Sequence, residues 1–385
     1  MLITDNDRLI EFCDRLRGAP YLAVDTEFMR EKTYHARLCL VQVAWGEHAA
    51  AIDPLAPDLD FTPLKELLAN ESSVKVLHSA VQDLGIFLQG MGHVPGPVFD
   101  TQIAASVCGF GHQPGYAVLV DSMLGVKVDK ASQAVDWSIR PLSDRQLEYA
   151  LGDVTHLCQV YERLVSELDA QGRTAWVEEE MAALLDPDRY VTRPEEAYRR
   201  VKIRRPSSQQ LAVLRELAAW RETQAMERDI PRGWLLRDEA LAEIAQHLPK
   251  DAAALARVRG LKEHVARGAD GRALLRTVAA ALELPEEDWP VIKERGPAPG
   301  PGHDSLVALL QALLRLRADA NGVATTMIAN RADLERMAAE DEPDVEALGG
   351  WRRQIFGEAA LDLKAGRLAL TGSGDGAREV RPMDG

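Results

Sequence analysis

Cysteine is scarce and scattered: Cys13, Cys39, Cys108 and Cys158 are the only four in 385 residues, and no two form a Cys-x-x-Cys pair. That spacing argues against both a thiolate zinc site and a disulfide framework, and leaves four reduced thiols for the core. Long apolar runs are missing too. None could span a bilayer, and Met1-Leu2-Ile3-Thr4-Asp5-Asn6-Asp7 lacks the basic and apolar regions of a secretion signal, so a cytoplasmic protein without membrane contact is expected. Positive charge is in deficit. A net charge of −15 and a pI near 5.2 tell against a protein that coats nucleic acid nonspecifically, and any polyanion must meet a local basic patch. What is present, 46% hydrophobic and 27% charged residues, is ordinary globular composition in a chain long enough for two or three domains.

The first 170 or so residues mix strand and helix signals. An amphipathic helix over residues 7–16 leads to an apolar, β-prone run at 21–28; Arg37-Leu38-Cys39-Leu40-Val41-Gln42-Val43-Ala44-Trp45 reads as a second strand, and Ala49-Ala50-Ala51-Ile52 as a third stopped by Pro54. A helix at 61–68, a buried strand at 74–78 and a helix over 80–89 give the alternation that builds parallel pairing, so one sheet of mixed direction is expected.

Acidic residues punctuate this region. Asp25 and Glu27 close the 21–28 strand two positions apart, and a strand's period of two puts both on one face, where hard divalent cations find oxygen ligands. Alone, such a pair is usually a solvated strand end or turn. Asp83 falls in the first turn of the 80–89 helix, a place the helix dipole favours for a carboxylate whatever its role. His78 has no second ligand at zinc spacing and reads as a hydrogen-bonding partner of substrate or carboxylate. Asp100 reads as an N-cap for the helix through Ala104 and Ala105. Ser143 and Gln146 form a capping box for a helix on which Tyr149 and Asp153, four apart, share a face; Gly152 within it suggests a close approach to the backbone.

In this order and spacing, Asp25-x-Glu27, Asp83 and Tyr149-x-x-x-Asp153 resemble the three exonuclease motifs of the DEDDy family. The run Asp136-Trp137-Ser138-Ile139-Arg140-Pro141-Leu142-Ser143 followed by Arg145-Gln146-Leu147-Glu148-Tyr149 is similar to the approach to the third motif in ribonuclease D. The resemblance spans essentially the whole chain. It implies an α/β ribonuclease H-like exonuclease domain, a mixed five-stranded sheet with flanking helices, followed by two all-α HRDC-type domains. It also implies a 3′-to-5′ exoribonuclease releasing 5′-mononucleotides and trimming the 3′ trailer of tRNA precursors, with RNA as partner and a monomeric state. Asp25, Glu27, Asp83 and Asp153 would be the metal-binding carboxylates and Tyr149 the phenol that orients the attacking water. Leu151-Gly152 departs from the alanines that relatives often carry and leaves the acidic positions intact. Phosphodiester hydrolysis needs an activated water, a shielded nonbridging oxygen and a stabilised leaving 3′-oxygen, which two Mg²⁺ or Mn²⁺ ions about 3.5 to 4 Å apart supply. Tyr149, with a reference pKa near 10, suits positioning better than strong base catalysis. Phe28 and Met29, directly after the acidic pair, could press on terminal bases or fill the core.

Beyond residue 185 the composition shifts. Arg189, Arg193, Arg199, Arg200, Lys202, Arg204 and Arg205 form a basic stripe beside a nuclease-like region, and Arg204 and Arg205 are its expected phosphate contacts. An amphipathic helix over 209–221, a break at Ile230-Pro231 and helices over 238–248 and 252–258 follow. Trp220-Arg221-Glu222, Ile230-Pro231 and Asp238-Glu239-Ala240-Leu241 resemble the HRDC domain shared with RecQ-type helicases. A Gly-Pro linker over 296–302 precedes a fainter echo, with Asp333-Leu334 standing where Ala240-Leu241 stood. The expected division is an exonuclease domain over 1–190, a basic linker over 191–206, an HRDC domain over 207–290, a degenerate second copy over 303–370 and a flexible tail over 371–385. A unit ending near Asp186 is expected to hold its sheet and site unaided. Two other functions remain open: a DNA 3′-to-5′ exonuclease, since four carboxylates do not distinguish sugars, and a catalytically idle RNA-binding scaffold, against which all five site positions count. The choice of Mg²⁺ or Mn²⁺, the natural RNA, the oligomeric state and the helical domains' ligand are open as well.

Overall fold

The computed structural model describes residues 1–129, 135–291, 300, 302–374 and 376–380. The chain divides into two compact units. One comprises Met1–Glu27, Cys39–Arg189 and Gly296–Gly385; the other comprises Phe28–Leu38 and Tyr190–Arg295. Most of the expected Gly-Pro linker lies outside the described residues.

Strands β1 (Leu2–Ile3), β2 (Tyr21–Met29), β3 (Arg37–Trp45), β4 (His48–Ile52), β5 (Val74–Leu77) and β6 (Val98–Asp100) form one sheet in the order β1-β4-β3-β2-β5-β6. Pairing is antiparallel between β3 and β4, which are joined by a tight turn at Gly46 (φ 57°), and parallel for β1 with β4, β2 with β5 and β5 with β6. The sheet is mixed as expected but has six strands, not five. The extra strand is the two-residue β1, too short to carry any alternation and defined only by its pairing with Ala51 and Ile52.

Helices α1 (Asn6–Leu16), α2 (Thr62–Ala69), α3 (Val81–Met91), α4 (Thr101–Val107), α5 (Tyr116–Leu124), α6 (Asp144–Gln171) and α7 (Thr174–Leu184) accompany the sheet. The longest, α6, starts at the expected Ser143–Gln146 capping box and ends at Gly172 in the left-handed region. Its Val154, Leu157 and Cys158 pack on Tyr21 and Ala23 of β2, Ala44 of β3 and Val76 of β5. Burial of each large aliphatic side chain there contributes about 1.5–3 kcal/mol, which fixes the rotation of α6 on the sheet.

The same unit includes the C-terminal helices, whose core surrounds Leu310, Leu313, Leu334, Trp351 and Phe356. Trp351 stacks on Trp176 of α7 (centroids 4.8 Å apart, 12° between planes) and donates its indole N–H to Glu180 at 2.9 Å, while Arg352 forms an ion pair with Glu180. A chain cut near Asp186 would bare Trp176 and unpair Glu180, so an N-terminal fragment would lose these contacts of α7. Of the expected flexible tail over 371–385, residues 375 and 381–385 lie outside the described residues, and the rest is not without structure. Residues Ala369–Ser373 and Gly376–Val380 pair as an antiparallel hairpin, and Glu379 meets Arg317 at 2.6 Å; composition rich in glycine hid the strands because backbone pairing, not side-chain packing, defines them.

The second unit centres on α8 (Ser208–Glu227), capped by a Ser207–Gln210 box. Its Val213, Leu214 and Leu217 share a core with Leu241, Ile244, Leu274 and Val278. Ala197 and Val201 are buried in that core, so the stretch read as a basic linker is part of the fold; two small apolar residues among arginines are a weak signal in sequence.

Candidate active site

The packing that orients α6 also assembles the acids. Tyr21 and Ala23 meet α6, so the strand period places Asp25 and Glu27 on the same face of β2, and Asp153 arrives one residue before Val154. Carboxylate oxygens of Asp25, Glu27 and Asp153 all lie within 4.8 Å of one another. Asp83 sits in the first turn of α3, as expected, and is buried; the Thr26 hydroxyl donates to it. The donor set is oxygen only, three carboxylates with Asp83 beside them and neither thiolate nor imidazole in the cluster, which fits hard divalent cations such as Mg²⁺ or Mn²⁺.

These acids repel one another in a partly desolvated place. Burial, then the charges of Asp83, Asp153 and Glu27, push Asp25 well above the usual carboxylate range. Burial with the charges of Asp153 and Asp83 raises Glu27 to about 8. Burial raises Asp153 to about 7 against a hydrogen bond from Tyr149, and raises Asp83 to about 6 against the one from Thr26. Among the described residues no lysine or arginine pairs with any of the four. Tyr149 is itself pushed upward by burial and by Asp153 and Glu27, so it remains a protonated donor through the physiological range.

The other expected positions fall differently. Phe28 and Met29 follow Glu27 on β2 and are half-buried. His78 sets Nδ1 3.0 Å from the Thr101 hydroxyl and packs edge-on to Tyr116, so its partner is a hydroxyl, not a carboxylate; burial lowers its pKa and keeps the ring neutral. Asp100 caps α4 as expected and also accepts from the backbone N–H groups of Ser79 (3.0 Å) and Ala80 (2.8 Å), tying down the turn that leads into α3. Arg204 and Arg205 are exposed. Gly152 has no close backbone neighbour from elsewhere; an added Cβ would meet only the His156 ring at 3.8 Å, so the expected close approach is corrected and alanine would fit.

Comparison with known proteins agrees with this geometry. The 3′-5′ exonuclease family model matches residues 1–169 and the HRDC domain model residues 210–278. The chain is 47% identical to ribonuclease D of Acidiphilium cryptum over 100% of this chain and 97% of that protein. It is also 47% identical to ribonuclease D of Granulibacter bethesdensis over 96% and 93%. The crystal structure of Escherichia coli RNase D, described as an exoribonuclease involved in structured RNA processing, superposes with a TM-score of 0.83 at 32% identity, covering 95% of this chain and 98% of that one. The chain belongs to the ribonuclease D family.

For a ribonuclease D relative, the supports around the acids are as informative as the acids. Trp137 is buried with its ring 6.2 Å from that of Tyr149, and Tyr116 donates its hydroxyl to the Asp153 carbonyl. Arg140 holds the turn that carries Trp137. Its guanidinium donates to both oxygens of buried Asp53 (2.6 Å each) and to the carbonyls of Trp137 (2.7 Å), Ile139 (2.9 Å) and Cys39 (2.7 Å). In the sequence Trp137 and Arg140 stand out only within the family-like run, and Thr26, Tyr116 and Asp53 carry no local signal because their partners lie 37 to 87 residues away.

Proposed function

We propose that Asp25, Glu27, Asp83, Tyr149 and Asp153 form the active site of a metal-dependent 3′-to-5′ exoribonuclease that trims the 3′ trailers of tRNA precursors. The observation that carries the reading is the convergence of three carboxylates within 4.8 Å, a fourth held by the Thr26 hydroxyl, and the Tyr149 phenol one helical turn before Asp153 on α6. Asp25, Glu27, Asp83 and Asp153 would hold two divalent ions. Bound there, Mg²⁺ or Mn²⁺ supplies charge neutralisation at the scissile phosphate and lowers the barrier for water attack and for departure of the 3′-oxygen. Tyr149, protonated and backed by Trp137, orients the attacking water through its hydroxyl. The Asp153 carbonyl is fixed by Tyr116, which holds this turn of α6 in place. Attack breaks the bond to the 3′-oxygen, giving a 5′-mononucleotide and a chain one residue shorter with a free 3′-hydroxyl.

The domain reading goes with this proposal: an exonuclease domain over 1–190, an HRDC domain over 207–290 and a degenerate second copy over 303–370. Leu334 and Leu241, which the echo aligns, are both buried in their own helical cores and so support it. On this reading the enzyme works as a cytoplasmic monomer; among the described residues no helix is long and apolar enough to cross a membrane.

A tRNA precursor with a 3′ extension and single-stranded DNA of matching sequence, each incubated with Mg²⁺, Mn²⁺ or a chelator, test the reading. Stepwise loss of 3′ nucleotides from the RNA, dependent on metal and slower on DNA, is expected. Internal cuts, or equal rates on both, would overturn the exonucleolytic mode or the preference for RNA respectively.

A further inference from the structure

Within the second unit, an open cleft of about 580 Å³ is lined by Arg30, Arg200 and Arg232 together with Thr33, Tyr34 and Glu31. The three arginines come from distant parts of the chain: the segment after β2, the end of the 3₁₀ turn Pro194–Arg200, and the helix Arg232–Leu235 that follows α8. All three are exposed, and Arg30 and Arg200 make no ion pair among the described residues. On a protein of net charge −15, three guanidinium groups opposed by one exposed carboxylate, Glu31, make a local exception.

The floor of the cleft is built rather than incidental. Glu222, only 1% exposed, accepts the Tyr34 hydroxyl at 2.6 Å and lies 3.6 Å from Arg232, so a buried acid orients both side chains. Asp229 accepts the backbone N–H groups of Tyr34 (3.1 Å) and His35 (3.0 Å) and is thereby committed to holding the loop. Arg30 stands three residues beyond Glu27 in the chain, and Trp234, two residues beyond Arg232, leaves 65% of its surface exposed. Guanidinium forks fit phosphate oxygens, and an exposed indole offers a stacking face for a base.

We propose that this cleft binds the phosphodiester backbone of single-stranded RNA, with Arg30, Arg200 and Arg232 as the phosphate contacts. The inference rests on the exoribonuclease reading for the identity of the polymer, and it moves the expected phosphate contacts from Arg204 and Arg205 to the cleft. Its volume suits a nucleotide unit, within the roughly 300–1,000 Å³ of ordinary ligand sites.

The test is equilibrium binding of a fluorescent oligoadenylate roughly twelve nucleotides long to the full-length chain carrying Asp153→Asn, which keeps the RNA intact, over a salt series. Each phosphate contact on a single strand contributes about 0.7 to the slope of log affinity against log salt, so Arg30→Ala with Arg200→Ala should flatten it by about 1.4, and adding Arg232→Ala by about 2. Arg276→Ala, an exposed arginine of the same unit, serves as the charge-matched control and should leave the slope unchanged. The double variant touches no ion pair and so does not depend on the fold tolerating loss of the Glu222 contact. An unchanged slope in both cleft variants overturns the proposal, as does a flattening produced by Arg204→Ala with Arg205→Ala in its place. Loss of 5′-AMP binding in the cleft variants without any change in the RNA slope also overturns it, since the cleft would then take free nucleotide. Cleavage assays on the unaltered chain judge the exoribonuclease reading separately, because they do not depend on the slope.

Discussion

The two units treat buried charge in opposite ways. In the helical unit, buried Arg221 donates to Asp238 at 2.6 Å and to the Leu236 carbonyl at 3.0 Å, and buried Glu222 has Tyr34 and Arg232 as neighbours. In the exonuclease unit, Asp25, Glu27 and Asp153 crowd together and feel the charge of Asp83, with hydroxyl and backbone N–H donors but no basic side chain among the described residues to oppose their repulsion. Paired buried charge fixes a fold. Unpaired like charge in a cluster costs stability and persists where a ligand of opposite sign completes it.

The largest expected effect comes from removing a carboxylate on the unpaired side. Asp25→Asn or Asp153→Asn should reduce turnover on single-stranded RNA by about 10³-fold or more, yet leave the metal-free protein as stable as the parent or more so, because one repulsion is relieved. Turnover near normal at saturating Mg²⁺ would break the contrast. Tyr149→Phe keeps the ring against Trp137 and removes only the hydroxyl, so steady-state rates should fall by roughly 10²-fold with little change in metal affinity. Full activity from pH 7 to 9 would make Tyr149 a packing residue. On the paired side the signs reverse. Arg221→Met should destabilise the helical unit by about 1–3 kcal/mol, since it strands the buried Leu236 carbonyl, the half-exposed Asp238 carboxylate being left to water, while hydrolysis of short RNA is retained. Chemical denaturation followed by tryptophan fluorescence would read that shift, and an unshifted transition would mean the pair is ornamental.

A smaller effect is expected from pH alone. Carboxyl groups whose folded pKa values are raised above their unfolded ones stabilise most where both states are protonated, and lose that contribution as pH rises from about 4 through the folded values. With Asp83 at about 6, Asp153 at about 7 and Glu27 at about 8, the melting temperature of the chelated protein should fall between pH 6 and 8, and added Mg²⁺ should restore it. A melting temperature that rises over this interval without metal would show the acids to be less strained than the geometry implies.

The sequence carried the acids because local periodicity encodes them: alternation on β2, the first turn of α3 and the i, i+4 face of α6 each place a carboxylate from a few neighbouring residues. It carried the mixed sheet for the same reason. What it could not carry was long-range. Arg140 reaching Asp53, Trp176 stacking on Trp351, and the cleft that joins Arg30 to Arg200 and Arg232 bring together positions whose separation leaves no local pattern. The misread linker and tail failed for another reason. Ala197 and Val201 join a core supplied by α8 and later helices, and the strands Ala369–Ser373 and Gly376–Val380 pair through their backbones, neither of which local composition reports.

Proton release on metal binding tests the central claim most directly. Calorimetric titration of the metal-free protein with Mn²⁺ at pH 7, in two buffers of different ionisation enthalpy, counts the protons displaced. Because burial and mutual repulsion hold protons on Asp25, Glu27 and Asp153 at that pH, binding should expel at least about one proton, and fewer at pH 9. Binding with no proton release at pH 7, or release that persists unchanged in Asp25→Asn and Asp153→Asn, would contradict it.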